Sequence, residues 1–202
     1  MDNNNLTLTM LGTGHATVTK CYSTCFLLHD NEDYFMVDAG GGNRILGILE
    51  GIHFIVLQDG DTHKILNREI TFFDIKAEKL LQFGFRIETE GFIFCGDEPL
   101  KEELYKYAER ARWMLHEAFC LKEESEKFKP HEKKHSTVKD ACVLAEKLKV
   151  QNLVLVHTED SHVCGDYPYN RKGLYIEEGK QFFSGNLYVP DDKEKIKIGI
   201  RI

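Results

Sequence analysis

Apolar and polar residues alternate from Leu6 to Leu11, and the run closes on Gly12-Thr13-Gly14. Period-two alternation ending in glycine predicts a half-buried strand and a turn. Ser23 to Leu28 and Tyr34 to Val37 are β-rich runs separated by the polar stretch His29 to Asp33. Phe54 to Leu57, Ile70 to Ile75, Phe83 to Ile87 and Phe92 to Cys95 continue the pattern, with turn signals at Asp59-Gly60 and Glu90-Gly91. The second half alternates between periods. Lys101 to Arg112 reads as a helix and Trp113 to Phe119 as a buried strand. Ser136 or Thr137 caps a helix reaching about Lys149, with Val138, Ala141, Ala145 and Leu148 at helical spacing. Leu153 to Val156 is fully apolar and ends at His157, as strands buried on both faces do. Tyr169 to Lys180 reads as a short helix. Strands followed by strand–helix alternation predict sheets covered by helices, an α/β or layered α+β fold.

Composition narrows the class. The chain has 202 residues, which suits a single domain over residues 1–202 with a sizeable core. Hydrophobic residues make up 42% and charged residues 29%, as in ordinary globular proteins. No apolar run is long enough to cross a bilayer, so no membrane partner is expected. Met1 to Asn5 lacks the basic-then-apolar pattern of a signal peptide, and the expected location is cytoplasmic. Cys21, Cys25, Cys95, Cys120, Cys142 and Cys164 are scattered through strand-like and helix-like segments. In a reducing compartment they read as small buried hydrophobes rather than disulfides. The net charge of -7 argues against a broad basic face for nucleic acid. Basic residues thicken between Lys122 and Lys139, and the expected role is a solvated helix–loop region rather than a phosphate-facing rim.

An ordered set of segments carries chemistry. It comprises Leu11-Gly12-Thr13-Gly14, Met36-Val37-Asp38-Ala39-Gly40-Gly41-Gly42, Phe94-Cys95-Gly96-Asp97, Leu115-His116-Glu117-Ala118-Phe119, His135-Ser136-Thr137 and Leu155-Val156-His157-Thr158. In this order they resemble the tRNase Z-like (ribonuclease Z-like) branch of the metallo-β-lactamase superfamily, from Leu6 to about Asp192. The resemblance implies an αββα sandwich whose ligands stand at strand ends, held by rigid backbone. It also implies a phosphodiester hydrolase with two zinc ions. By the same resemblance Asp97 bridges the metals and His157 is a terminal ligand. His135 contacts the phosphate or protonates the leaving oxygen. His116 and Glu117 orient the site, and Asp38 supports it. Taken alone, each residue has a plainer role. Asp97 after glycine suits a turn, His157 suits a hydrogen-bonded strand end, and His135 suits a loop before a helix.

The chain departs from that family at its main metal signature. No His-x-His-x-Asp-His occurs between the glycine turn and Gly96-Asp97; that interval holds only His53 and His63. The expected explanation is an internal deletion near residues 43–53 that shortens the sandwich. A catalytic zinc normally takes three protein ligands and an open position, and Asp97 with His157 falls short. Asp61-Thr62-His63 offers a further carboxylate and imidazole, but reads as a hairpin turn. Weak or absent hydrolysis is therefore expected. The alternative is an active metal-dependent phosphodiesterase on RNA or a (cyclic) nucleotide. No Gly/Pro-rich basic insertion resembles a tRNA-gripping arm, which favours a small nucleotide over tRNA. A shortened sandwich should expose apolar surface, and a homodimer is expected to cover it.

Overall fold

The computed structural model describes residues 6–15, 23–30, 33–37, 55–78, 80–159 and 171–199. Asp38, the glycine turn at 40–42, the proposed deletion point at 43–53, Cys21 and Cys164 lie outside the described residues.

Alternation sets the first sheet. Strands β1 (Thr7–Gly12), β2 (Cys25–Asp30), β3 (Asp33–Val37) and β11 (Lys195–Lys197) pair antiparallel in the order β11-β1-β2-β3. Leu8, Met10, Phe26 and Leu28 turn inward and are buried. On β3, Phe35 and Val37 pack inward while Tyr34 and Met36 face out, as period-two geometry requires.

The second sheet has seven strands. β4 (Thr62–Ile65), β5 (Arg68–Asp74), β6 (Phe83–Ile87) and β7 (Phe92–Phe94) form an antiparallel meander. From β7 onward the pairing is parallel, through β8 (Trp113–Glu117), β9 (Asn152–Val156) and β10 (Asn186–Tyr188). All residues of β7, β8 and β9 are buried, so these strands read as mostly apolar runs, with the polar Asn152, His116 and Glu117 at their ends. One core lies between the sheets, where Met10 and Phe26 meet Phe72, Phe85, Phe94, Leu115 and Val156. The other lies between the seven-stranded sheet and the helices α1 (Tyr105–Ala108), α3 (Val138–Lys147) and α4 (Arg171–Gly179). A further short helix, α2 (Ser125–Phe128), belongs to the basic stretch after β8.

Helix α3 starts where expected. Thr137 Oγ1 accepts a hydrogen bond from Asp140 N, and Asp140 Oδ2 accepts one from Thr137 N, a reciprocal cap. Three expectations need correction. Ile55 to Leu57 forms no strand, and Val56 is 88% exposed. Thr62-His63 belongs to β4 rather than to a turn, and the turn falls at Leu66-Asn67, both at positive φ. A two-residue hairpin turn needs that backbone, but Leu-Asn lacks the usual glycine signal. The helix expected over 101–112 shrinks to one 3-10 turn and α1. Arg110, at φ 56, turns its N–H to Leu148 O, so a tertiary bond replaces continued helix.

Candidate functional site

Three parallel strands end on one edge. The register pairs Phe94 with Leu115 and Leu115 with Val154, which brings the carboxyl ends of β7, β8 and β9 side by side. Ligand sites of layered α/β folds favour such ends. Asp97 follows β7, His116 and Glu117 end β8, His157 follows β9, and His135 stands in the loop before α3. Gly96 precedes Asp97 at φ +89, and a Cβ there would meet Ile75 Cδ1 at 2.7 Å. Only glycine fits this turn, which sets where Asp97 leaves the strand.

Backbone bonds join these ends. Thr158 N donates to Thr13 O, Ala118 N to Val156 O, Glu159 N to Phe119 O, and Phe119 N to Ser136 O. The loops carrying the polar side chains therefore continue the sheet's hydrogen bonding past the strands.

An imidazole cluster occupies this edge. The His135 and His157 rings lie 4.8 Å apart, and His15 lies 6.1 Å from His157. Phe119 separates two of the histidines. It stacks on His135 at 5.1 Å and touches His15 at 4.6 Å. Lys133 Nζ sits 4.9 Å from the same ring, a cation–π distance. His15 Nε2 pairs with Glu159 Oε2 at 3.0 Å, both buried. Glu117 is fully buried. Its Oε1 accepts from Ser136 N at 2.6 Å, and its Oε2 faces His135 Nδ1 at 3.6 Å. Among the described residues neither Oε2 nor Nδ1 has a hydrogen bond. A slight ring movement closes that gap, and ligand-free sites often hold such pairs loosely.

His116 is a wall residue. Its Nδ1 donates to Glu117 O at 2.7 Å and its Nε2 accepts from Leu100 N at 3.3 Å, so both nitrogens are satisfied in the core. It ties β8 to the loop after Asp97. His157 adopts φ 57, a left-handed conformation that costs a non-glycine residue energy. Burial, then the neighbouring charges of His135 and His15, hold its pKa down at about 3. The ring is thus neutral at ordinary pH, the form that donates a lone pair. His63 packs on Phe72 and lies 3.8 Å from Asp61, on β4 rather than among these rings.

His15, Thr24, Phe119, Glu159 and Arg171 were not singled out by the sequence. Arg171 is buried and donates to Thr158 Oγ1 at 2.6 Å and Pro190 O at 2.8 Å, fastening the segment after His157. A histidine directly after the first strand's glycine turn was the available signal for His15.

Comparison with known proteins bears on the fold. No family model matches the chain. Over 107 residues it is 28% identical to the ribonuclease Z of Thermococcus sibiricus, covering 53% of this chain and 31% of that protein. The crystal structure of the metallo-β-lactamase fold protein YhfI from Bacillus subtilis superposes with TM-score 0.72 at 13% identity, covering 96% of this chain and 100% of that one. The chain resembles ribonuclease Z in sequence over about half its length and shares the metallo-β-lactamase fold. Human tRNase Z, short form, shares the ribonuclease Z-like chain's fold at TM-score 0.62 and 15% identity, over 96% of this chain and 100% of that one. The ribonuclease Z-like chain spans 31% to 42% of the length of the curated relatives it matches.

The family's relatives make zinc the natural question. Asp97 and His157, the expected ligands, follow strands that end on one sheet edge, and His135 lies there too. Yet among the described residues no group of three or more His, Cys, Asp or Glu side chains converges to hold an ion. The described donors do not fit a zinc pair, because each zinc needs about three protein ligands.

Proposed function

We propose that this ribonuclease Z-like chain binds a phosphodiester, of RNA or of a (cyclic) nucleotide, at the ends of β7, β8 and β9, and hydrolyses it weakly or not at all. Its donor set carries the reading: Asp97 and His157, with no His-x-His-x-Asp-His in the sequence and no converging triple among the described residues. Water keeps a pKa near 15.7 unless a metal lowers it to about 7, so too few ligands leave little hydroxide to attack. The polar groups still suit a phosphate. Glu117 orients His135 toward an anionic oxygen, and Lys133 adds a positive charge beside Phe119. His116 holds the Asp97 loop in place.

The second reading is an active metal-dependent phosphodiesterase. The common edge shared by Asp97, His135 and His157 favours it, as does the activity named for the relatives. Zinc content and turnover of bis(p-nitrophenyl) phosphate, with and without added zinc or manganese, separate the two. The first reading expects at most one weak ion per chain and turnover near background. Two zinc ions per chain, with turnover lost in Asp97→Ala, overturn it and establish the second.

The proposal includes a homodimer. Val56 is 88% exposed and Leu80 and Leu81 are each 71% exposed, and contiguous exposed apolar patches are commonly covered by a partner. Light scattering at micromolar concentration should give twice the 23.3 kDa chain mass; a monomeric mass rejects the dimer. Buried free thiols at Cys95, Cys120 and Cys142 suit a reducing, cytoplasmic location. Among the described residues no helix is long and apolar enough to cross a membrane.

A further inference from the structure

We infer that Thr24 is a positioning residue that locks His157 in one tautomer, with its proton on Nδ1 and a lone pair on Nε2. The role of that lone pair rests on the phosphodiester-site reading above; the tautomer itself does not.

The geometry offers two arrangements and excludes one. Thr24 Oγ1 lies 2.9 Å from Gly14 O and 3.3 Å from His157 Nδ1. A threonine hydroxyl has one proton and two lone pairs, and a carbonyl only accepts. If the proton pointed to Nδ1, Oγ1 and Gly14 O would face each other at 2.9 Å with no proton between them, two lone-pair-bearing oxygens at hydrogen-bond distance. If the proton goes to Gly14 O, both contacts become favourable. Oγ1 donates to the carbonyl and accepts from Nδ1–H. The shorter contact, 2.9 Å, is also the one within the usual O–H···O range.

The surroundings hold this arrangement rigid. Thr24 N also donates to Gly14 O, at 2.7 Å, so backbone and side chain grip the same carbonyl. Gly14 itself bridges to Ser23 and to Thr158, the residue after His157. Thr24 is 7% exposed and His157 is 8% exposed, which limits competition from water. On either side of His157, Val156 O accepts from Ala118 N and Thr158 N donates to Thr13 O. The backbone that carries the ring is therefore fixed on both sides.

A neutral histidine side chain free in water prefers its proton on Nε2. Thr24 reverses that preference, as partners of the second ring nitrogen do in many sites. Nε2 then presents a lone pair on the side of the ring away from Thr24. It is ready to accept from a ligand hydroxyl, and it is the same atom that would ligate a cation.

The test reads the proton directly. The full chain, with 15N-labelled histidine and a chelator present, is examined at pH 8 by long-range 1H–15N correlation. His157 is assigned by the signal lost in His157→Gln. The expected spectrum has a protonated Nδ1 and an unprotonated Nε2. Thr24→Val should lose that pattern and show protonated Nε2, while Thr24→Ser, which keeps the hydroxyl, should restore it. A protonated Nε2 in the parent protein, or an unchanged Nδ1–H in Thr24→Val, overturns the inference. If Thr24→Val fails to fold by circular dichroism, the parent and Thr24→Ser spectra still decide. Absent turnover with a confirmed Nδ1–H tautomer would count against the active reading of the site alone, leaving Thr24's role intact.

Discussion

Between pH 7 and pH 4 the protein should lose about 3 kcal/mol of stability through His157 alone. Burial, followed by the charges of His135 and His15, depresses the folded pKa from 6.5 to about 3. The unfolded ring takes up a proton as the pH falls through 6.5, whereas the folded ring refuses it until about 3. Across that window the unfolded state binds more protons, so stability rises with pH. The full contribution is present above 6.5, fades as the pH drops, and is gone below about 3. Urea unfolding at pH 7, 5.5 and 4 should show a shallower decline in His157→Gln than in the parent. Parallel curves for the two proteins would show that His157 titrates normally in the fold. The same burial that makes the ring a neutral lone-pair donor thus makes the site edge sensitive to acid.

Arg68→Ala should cost about 3–5 kcal/mol, close to the largest loss available to one surface-remote substitution. Arg68 is 5% exposed and joins both sheets. Its Nε donates to Glu90 in the turn after β6, and its Nη1 donates to Asp30 Oδ2 at 2.7 Å, at the end of β2. Nη1 also donates to Leu66 O at 2.7 Å. Burial opposes the guanidinium charge, and the bonds from Asp30 and Glu90 outweigh it, raising the pKa. Removing the cation leaves two carboxylates facing the same desolvated space. Arg68→Lys keeps the charge but loses the planar fork, and should fall between parent and alanine variant. The double variant Arg68→Ala/Glu90→Ala should lose less than the sum of the single losses, because the second change removes a stranded charge. Urea midpoints give these differences. A loss in Arg68→Ala no larger than that of Lys147→Ala, an exposed lysine, would show the triad to be inert.

Much of the fold was legible along the chain. Alternation marked β1, β2, β3, β5 and β6 because each strand has one face on the inter-sheet core. Apolar runs marked β7, β8 and β9 because both faces are covered. Thr137 marked the start of α3 because capping is local, within three residues. Three elements were misread for equally physical reasons. β4 is an edge strand with exposed positions and little apolar content, so its pattern is faint. α1 ends early because Arg110 bonds to Leu148, a partner that no helical period announces. Ile55 to Leu57 carries a β-rich composition without a strand to pair with.

By itself, the sequence determined which residues of the ribonuclease Z-like set are present and in what order. Asp97, His116, Glu117, His135 and His157 each follow an apolar run or precede a cap, so their places at element ends could be read from local pattern. Tertiary structure alone decided what those residues touch. Glu117 meets His135 across a loop, His15 meets Glu159 across 144 positions, and Thr24 meets His157 across 133. Hydrogen bonds between such distant residues leave no periodicity in the chain. They arise only when two sheets stack and parallel strands bring their ends to one edge, and there the protonation of His157 is set.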